Sequence, residues 1–313
     1  MKNKKNIVLA LIAVIIYVVI FSLAQFGVLS RHTQSLLVPI GVNIILAVSL
    51  NLTVGFIGEL TLGHAGFMSV GAYAGCLFTI YCNLPVWIEF PLALIIGGLV
   101  AAIFGVIIGI PALRLNGDYL AIVTLAFGEI IRSVLNNVKF TGGAGGLKGI
   151  DKTSNFTIAY ILVILTLIVI TNVVHSRHGR AIMAIRDNII AAQSVGINIV
   201  YYKLVAFVGA AFFAGVAGVL YGHNLGILKP STFDFNKSIE ILVIVVLGGM
   251  GNITGSVIAA IIITLLPEVL RDLADYRMLI YSIALIVMML FSSNPTLVEF
   301  RKKIFKTKKG GNK

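Results

Sequence analysis

The chain of 313 residues is strongly apolar, with 58% hydrophobic and only 12% charged residues. Soluble domains carry about twice that charged fraction, and apolar runs as long as one bilayer crossing, about 20 residues, recur along the sequence. The net charge of +12 lies mostly in tails and loops, which is typical of the positive-inside bias of membrane proteins rather than of nucleic-acid binding. The sequence therefore predicts an all-α, polytopic helix bundle embedded in a lipid bilayer.

Ten candidate crossings follow one another, and the first is expected to be a retained helix because its apolar run is too long for a signal peptide. The predicted spans are 6–29, 36–55, 61–81, 88–110, 119–135, 156–174, 203–226, 238–247, 252–267 and 277–292. The span 238–247 is too short to cross alone, so we expect a half-helix shielded from lipid by protein. Eight to ten crossings therefore remain open.

The distribution of basic residues favours ten crossings. With a cytoplasmic N-terminus, ten crossings place 15 Lys and Arg residues inside and 8 outside, whereas nine crossings place 10 inside and 13 outside. The positive-inside rule prefers the first arrangement. Both termini are then expected in the cytoplasm, with 300–313 as a basic cytoplasmic tail, and 1–313 as a single transmembrane domain.

Several function classes lack their sequence motifs. There is no phosphate-binding loop, because "TGGAGGLKGI" has Leu before Lys148 and Gly after it, so ATP hydrolysis by this chain is not expected. Motifs of zinc metalloproteases, serine hydrolases and potassium-selective filters are also missing. The two cysteines, Cys76 and Cys82, indicate neither a disulfide framework nor a metal site.

Two glycine-broken segments, "VGFIGELTLGHAGF" and "LGGMGNITGS", interrupt the apolar runs. Broken helices expose backbone N–H and C=O groups near mid-membrane, which can line a polar path, and paired breaks are a pointer to a translocation pathway. The alternative is close helix packing through small residues, and it stays open. The pathway candidates are Gly58, Glu59, Gly63, His64, Gly66, Gly248, Gly249, Gly251 and Asn252.

Few ionisable residues lie at membrane depth. Glu129 and Arg132 are three positions apart on one helix face, and we expect an intramembrane ion pair that neutralises both charges. For His64, a hydrogen bond to an exposed carbonyl of the broken helix is the preferred interpretation over ligand binding.

The polar segment 175–203 is the strongest feature, and the charge distribution places it in the cytoplasm. Asp187 can cap a helix from Ile189 to Ser194, and Gly196 stands where a terminating glycine belongs. An amphipathic face is expected from four isoleucines at helical spacing, namely Ile182, Ile185, Ile189 and Ile190. Such a helix lies on a membrane surface or docks in the groove of a partner.

Long ordered motifs resemble the branched-chain amino acid ABC transporter permeases, M-type subunit, from about residue 40 to 292. They are "GDYLAIVTLAFGEIIRSVLNN", "TGGAGGLKGI", "RHGRAIMAIRDNIIAAQSVGINIVYYKLVAFVGAAFFAGVAGVLYG" and "SIEILVIVVLGGMGNITGSVIAA". The resemblance implies a non-enzymatic permease domain in a bacterial inner membrane, without a cofactor of its own. It implies a second, H-type permease, two ATPase subunits that bind ATP, and an extracytoplasmic solute-binding protein.

The resemblance also implies that 175–203 is the cytoplasmic ATPase-coupling loop. Its candidate residues are Arg180, Arg186, Asp187, Ala191, Ala192 and Gly196, although Gln193 after the two alanines departs from the family consensus. The outer "TGGAGGLKG" loop is the expected contact of the binding protein. Two alternatives stay open: an ABC permease for another solute, such as urea, short amides or other amino acids, and a secondary transporter or channel.

Overall fold

A computed structural model describes residues 14–15, 17–23, 26, 31–82, 84–115, 117–270, 282–283 and 286. Across these residues the chain forms helices and no strand, which confirms the predicted all-α bundle. The main helices are α1 (Arg31–Asn51), α2 (His64–Tyr81), α3 (Val86–Ala112), α4 (Asp118–Asn137), α5 (Phe156–His175), α6 (Arg177–Asp187), α7 (Ile189–Ser194), α8 (Ile199–Leu225), α9 (Phe235–Gly248) and α10 (Ile253–Val269).

Eight of the predicted spans coincide with helices to within a few residues. The first predicted span is described only in part: 14–15 and 17–23 are helical, and the Tyr17 hydroxyl lies 3.0 Å from that of Thr157 on α5. The last span, 277–292, lies outside the described residues except for 282–283 and 286, and the tail 300–313 lies outside them entirely.

Four described helical stretches are long and apolar enough to cross a bilayer on their own, namely Thr33–Ile57, Val86–Ala112, Phe156–His175 and Ile199–Leu225. Helices α2, α3 and α8 pack closely against one another, and their backbones approach closely. A Cβ added at Gly71 would lie only 2.2 Å from the Cα of Gly215 on α8. Such contacts show how small residues let membrane helices pack.

The two predicted spans 238–247 and 252–267 form two separate helices, α9 and α10. Helix α9 has 14 residues, or about 21 Å at 1.5 Å per residue, and is shorter than a bilayer core of about 30 Å. It packs against α1 and α10, and its inward residues Ile241, Ile244 and Val245 are fully buried. A half-helix shielded by protein is therefore present, as expected.

Candidate functional site

The first glycine break follows a complete crossing. The stretch Thr33–Ile57 is helical over 25 residues, about 37 Å, and its last part, Leu52–Ile57, is a π-helical turn. The turn ends at Gly58, whose φ of 83° is left-handed, and the chain stays irregular until His64. Gly55 and Gly58 thus lie towards one end of the bundle, whereas the sequence argument placed this broken backbone near mid-membrane.

The second break contacts the first. The backbone N–H of Gly251 donates to Asn51 Oδ1 at 2.8 Å, and Asn51 Nδ2 donates to Ser256 Oγ at 3.0 Å. A Cβ on Gly55 would lie 2.2 Å from the Gly251 nitrogen and 1.8 Å from Asn51 Oδ1. Only glycine fits at position 55, and the backbone N–H that the second break frees at Gly251 is satisfied across the contact.

Arg186, from the segment 175–203, lies on both breaks. Its Nη1 donates to the carbonyl of Gly55 at 2.9 Å. A Cβ on Gly58 would lie 2.8 Å from Arg186 Cγ, and one on Gly251 would lie 3.3 Å from Nη1. We call the contact of Asn51, Gly55, Gly58, Arg186 and Gly251 the break junction. It brings together three segments that the sequence singled out separately.

Helices α6 and α7 form most of this polar segment, and each begins with a side-chain cap. Ser176 Oγ accepts the N–H of Gly179 at 3.2 Å, and Asn188 Oδ1 accepts that of Ala191 at 3.0 Å. The prediction that Asp187 caps α7 is therefore wrong, because Asp187 is the last residue of α6 and Asn188 holds the capping position. Gly196, at φ 82°, follows the end of α7 as expected.

The predicted continuous apolar face is also wrong. Ile182 and Ile185 on α6 are 1% and 2% exposed, whereas Ile189 and Ile190 on α7 are 41% and 79% exposed. The extended backbone of Asn188 (φ −158°) turns the chain between the two helices and separates the two pairs. As a result, α6 is anchored in the bundle and α7 presents its apolar side chains outward.

The other loop candidates divide in the same way. On α7, Ala192 is buried while Ala191 is exposed. Arg180 is exposed and reaches only the carbonyl of His175, at 3.5 Å, and Asp187 accepts from Arg186 Nη2 at 3.3 Å. The interaction with the helix breaks therefore belongs to Arg186.

Sequence reasoning missed a partner of Glu59. Lys203, on the second turn of α8, donates to Glu59 Oε1, and the lysine side chain is only 3% exposed. The signal was a single lysine inside the apolar run that becomes α8, which the charge argument counted as a loop residue. A buried lysine needs a carboxylate partner, and Glu59 is the one that the fold supplies.

Gly63, His64 and Gly66 lie deeper in the bundle. A Cβ at Gly63 would lie 2.6 Å from the carbonyl oxygen of Thr124, and one at Gly66 would lie 2.8 Å from the Cα of Gly128, both on α4. These are the contacts of close helix packing, the alternative that the sequence left open. His64 is buried, with Nε2 2.9 Å from the Ser49 hydroxyl.

Near the second break, the candidate residues shape the turn between α9 and α10. A Cβ at Gly248 would lie 2.5 Å from the nitrogen of Ser256, and Gly249 has a φ of 87°. Asn252 Oδ1 accepts the N–H of Gly255 at 3.2 Å and so caps α10. These residues fix the closed end of the α9–α10 hairpin beside the break junction.

Glu129 and Arg132 form an ion pair on α4, in which Arg132 Nε donates to Glu129 Oε2 at 2.8 Å. Each side chain is about one third exposed, at 35% and 36%. The surface beside Glu129, bordered by Gly66, Gly128, Asp234 and Ser238, is packed too closely to admit a water molecule. Among the described residues, no group of His, Cys, Asp and Glu side chains is arranged to hold a metal ion.

A bundle of apolar helices with two backbone breaks that meet at one end, contacted by a polar loop, is typical of a membrane transport subunit. Residues 32–292 match the family described as branched-chain amino acid transport system / permease component, and the chain belongs to this family. The match confirms the resemblance noted in the sequence and the conclusion that the chain is a transport permease, not an enzyme.

Individual relatives agree. The chain is 36% identical to the high-affinity branched-chain amino acid transport system permease protein LivM of Escherichia coli, over 96% of this chain and 77% of LivM. The identity is 38% to LivM of Salmonella typhimurium, over 84% and 69%. It is 27% to the permease protein LivH of E. coli, over 70% and 78%. No solved structure matches the chain significantly.

These relatives establish an M-type ABC permease, a multi-pass inner-membrane protein that works with a second permease subunit.

Proposed function

We propose that this chain is the M-type half of an ATP-driven importer that moves branched-chain amino acids across the inner membrane. Its partners are an H-type permease, two ATPases that bind and hydrolyse ATP, and an extracytoplasmic binding protein that delivers the substrate. The substrate class rests on the name of the LivM relatives, which share up to 38% identity with the chain.

The observation that supports ATP coupling is the contact of Arg186 with both helix breaks. In the proposal, α7 is the surface that docks on an ATPase, because Ile190 and Val195 are 79% and 74% exposed and a short apolar helix fits a partner's groove. Arg186 is the next-to-last residue of α6, and Asn188 alone separates α6 from α7. A displacement of α7 therefore reaches Gly55 and Gly251 together.

Transport then follows from alternating access. ATP binding shifts the two permeases towards one state only if the ATPases bind that state more tightly than the other. The break junction is suited to be the element that differs between the states, because its backbone groups depend on Arg186 and Asn51 rather than on helical hydrogen bonds.

The proposal is tested by purifying the tagged chain from its native membrane and measuring uptake in proteoliposomes. We expect an ATPase and a second permease to co-purify, and unlabelled Leu, Ile and Val to compete with uptake of radiolabelled Leu. Arg186→Ala should lower uptake about tenfold or more, since a hydrogen bond from a charged group contributes about 1.5–3 kcal/mol.

Arg177→Ala is the matched control, because Arg177 begins the same α6 helix and is exposed. It should retain uptake close to that of the unmodified chain. If no ATPase co-purifies, the ATP-driven assignment fails. If Arg186→Ala and Arg177→Ala are equally active, coupling through the break junction fails. If none of the three amino acids competes, the substrate class is wrong.

A further inference from the structure

A buried ion pair joins the first break to the start of α8. Lys203 Nζ donates to Glu59 Oε1, with side chains 3% and 15% exposed. Glu59 directly follows the left-handed Gly58, and Lys203 is the fifth residue of α8, which begins at Ile199. The pair therefore connects an irregular segment inside the bundle to the helix that continues the polar loop.

Lys203 and Arg186 lie on either side of α7 in the chain, and each of them contacts the first break. Arg186 precedes α7 (Ile189–Ser194) and holds the carbonyl of Gly55, whereas Lys203 follows α7 and holds the carboxylate of Glu59. The two basic residues on either side of α7 thus bind the two sides of Gly58. Whatever moves α7 acts on the break from both directions.

Stability alone is a poor explanation of the pair. Burying two charges costs more free energy than their attraction returns unless further hydrogen bonds satisfy both groups. Here Glu59 Oε2 is buried and has no hydrogen-bond partner among the described residues. An apolar pair of similar volume would hold the two segments at least as well, so the charges serve to fix where Glu59 lies relative to α8.

We propose that Lys203 is a positioning residue which, through Glu59, makes the first helix break follow the displacement of α7. The inference rests on the proposed function, in which α7 contacts an ATPase. In this inference, the Glu59–Lys203 pair couples ATP hydrolysis to transport, whereas assembly of the importer depends on the rest of the bundle.

The test measures uptake per ATP hydrolysed by the complete importer in proteoliposomes. The central variant is the double change Glu59→Gln and Lys203→Met, which leaves no unpaired buried charge and so preserves folding. We expect ATP hydrolysis to continue while uptake per ATP falls about tenfold, within the range by which single coupling positions act. The exchange Glu59→Lys with Lys203→Glu should restore most of the ratio, because it restores the attraction.

The matched control is Lys237→Met with Glu240→Gln. This pair, 3.1 Å apart and also partly buried, lies on α9, and Lys237 donates in addition to Asn43 Oδ1 on α1 at 3.3 Å. It is not part of the break junction, so its removal should leave uptake per ATP unchanged. If the Glu59–Lys203 variants lower assembly, hydrolysis and uptake in proportion, or if the exchange restores nothing, the pair is structural and the inference is overturned. An unmodified complex without uptake-linked hydrolysis would instead overturn the proposed function.

Discussion

Individual glycines meet two different requirements in this chain. Gly58 combines a left-handed φ of 83° with the close approach of Arg186, so that any side chain would be strained and would displace the arginine. Gly66 has ordinary helical geometry, and glycine is needed there because the backbone of α4 leaves no room for a side chain. The sequence grouped both residues as pathway candidates because composition does not separate these requirements.

Gly66→Ala tests the packing interpretation. The new Cβ would lie 2.8 Å from the Cα of Gly128, a backbone atom that cannot turn aside. We expect the free energy of unfolding to fall by about 1–3 kcal/mol, as in other overpacked sites, and thermal unfolding of the chain in detergent measures it. Gly145→Ala is the control, since nothing lies within 4 Å of its added Cβ. Equal midpoints together with blocked uptake would favour a pathway role.

At the scale of elements, helix positions followed from apolar run length, while contacts between helices did not. Predicted spans such as 119–135 and 156–174 lie within three residues of α4 (Asp118–Asn137) and α5 (Phe156–His175), because length and hydropathy are local properties. The contact of Asn51 with Gly251 joins residues 200 positions apart. No local pattern specifies it, and only packing of the bundle brings the glycine breaks and Arg186 together.

The start of α7 shows a local limit of the same reasoning. Asp187 and Asn188 are adjacent and both are good capping residues, but the sequence argument considered Asp187 alone. Packing decides between them: Ile182 and Ile185 are buried with α6, which extends the helix through Asp187 and leaves the cap to Asn188. The extended backbone of Asn188 then turns the chain, so that Ile190 faces outward and lies apart from the apolar face of α6.

Asn188→Ala tests the importance of this cap. Loss of the bond from Ala191 N–H should destabilise α7 by about 1 kcal/mol, which corresponds to about fivefold weaker binding of a partner that recognises the folded helix. Binding of the purified ATPase to immobilised permease measures the change. Asn188→Asp keeps an acceptor at this position and should bind as the unmodified chain does. Equal loss in both variants would show that the amide, not the cap, matters.

At the scale of the whole molecule, the break junction and the glycine-rich loop that precedes Leu147 lie at opposite ends of α8. This helix runs over 27 residues, about 40 Å, from Ile199 beside the polar segment to Leu225. Beyond Leu225, Leu228 and Leu147 exchange backbone hydrogen bonds of 2.8 and 3.0 Å. The glycine-rich loop before Leu147 is thus held against the segment after α8, and in the proposed importer it is an ordered surface for the binding protein.

The orientation of the chain is therefore testable with two exposed positions, Gly145 in the glycine-rich loop and Gln193 on α7. Each is changed to Cys in a background that carries Cys76→Ala and Cys82→Ser. In intact cells we expect a membrane-impermeant maleimide to label the variant at position 145. The variant at position 193 should be labelled only after permeabilisation, because the basic residues of 175–203 favour the cytoplasm.

The background protein without added cysteine should stay unlabelled, which excludes reaction elsewhere. The reverse pattern would place α7 outside the cell, where it cannot reach an ATPase, and would overturn both the coupling role of Arg186 and that of Lys203. Labelling of both variants from the same side would contradict the fold itself, because α8 separates the two positions by the thickness of a bilayer core, about 30 Å. Accessibility of these two residues thus decides between the proposed orientation of the chain in the membrane and the inverted one.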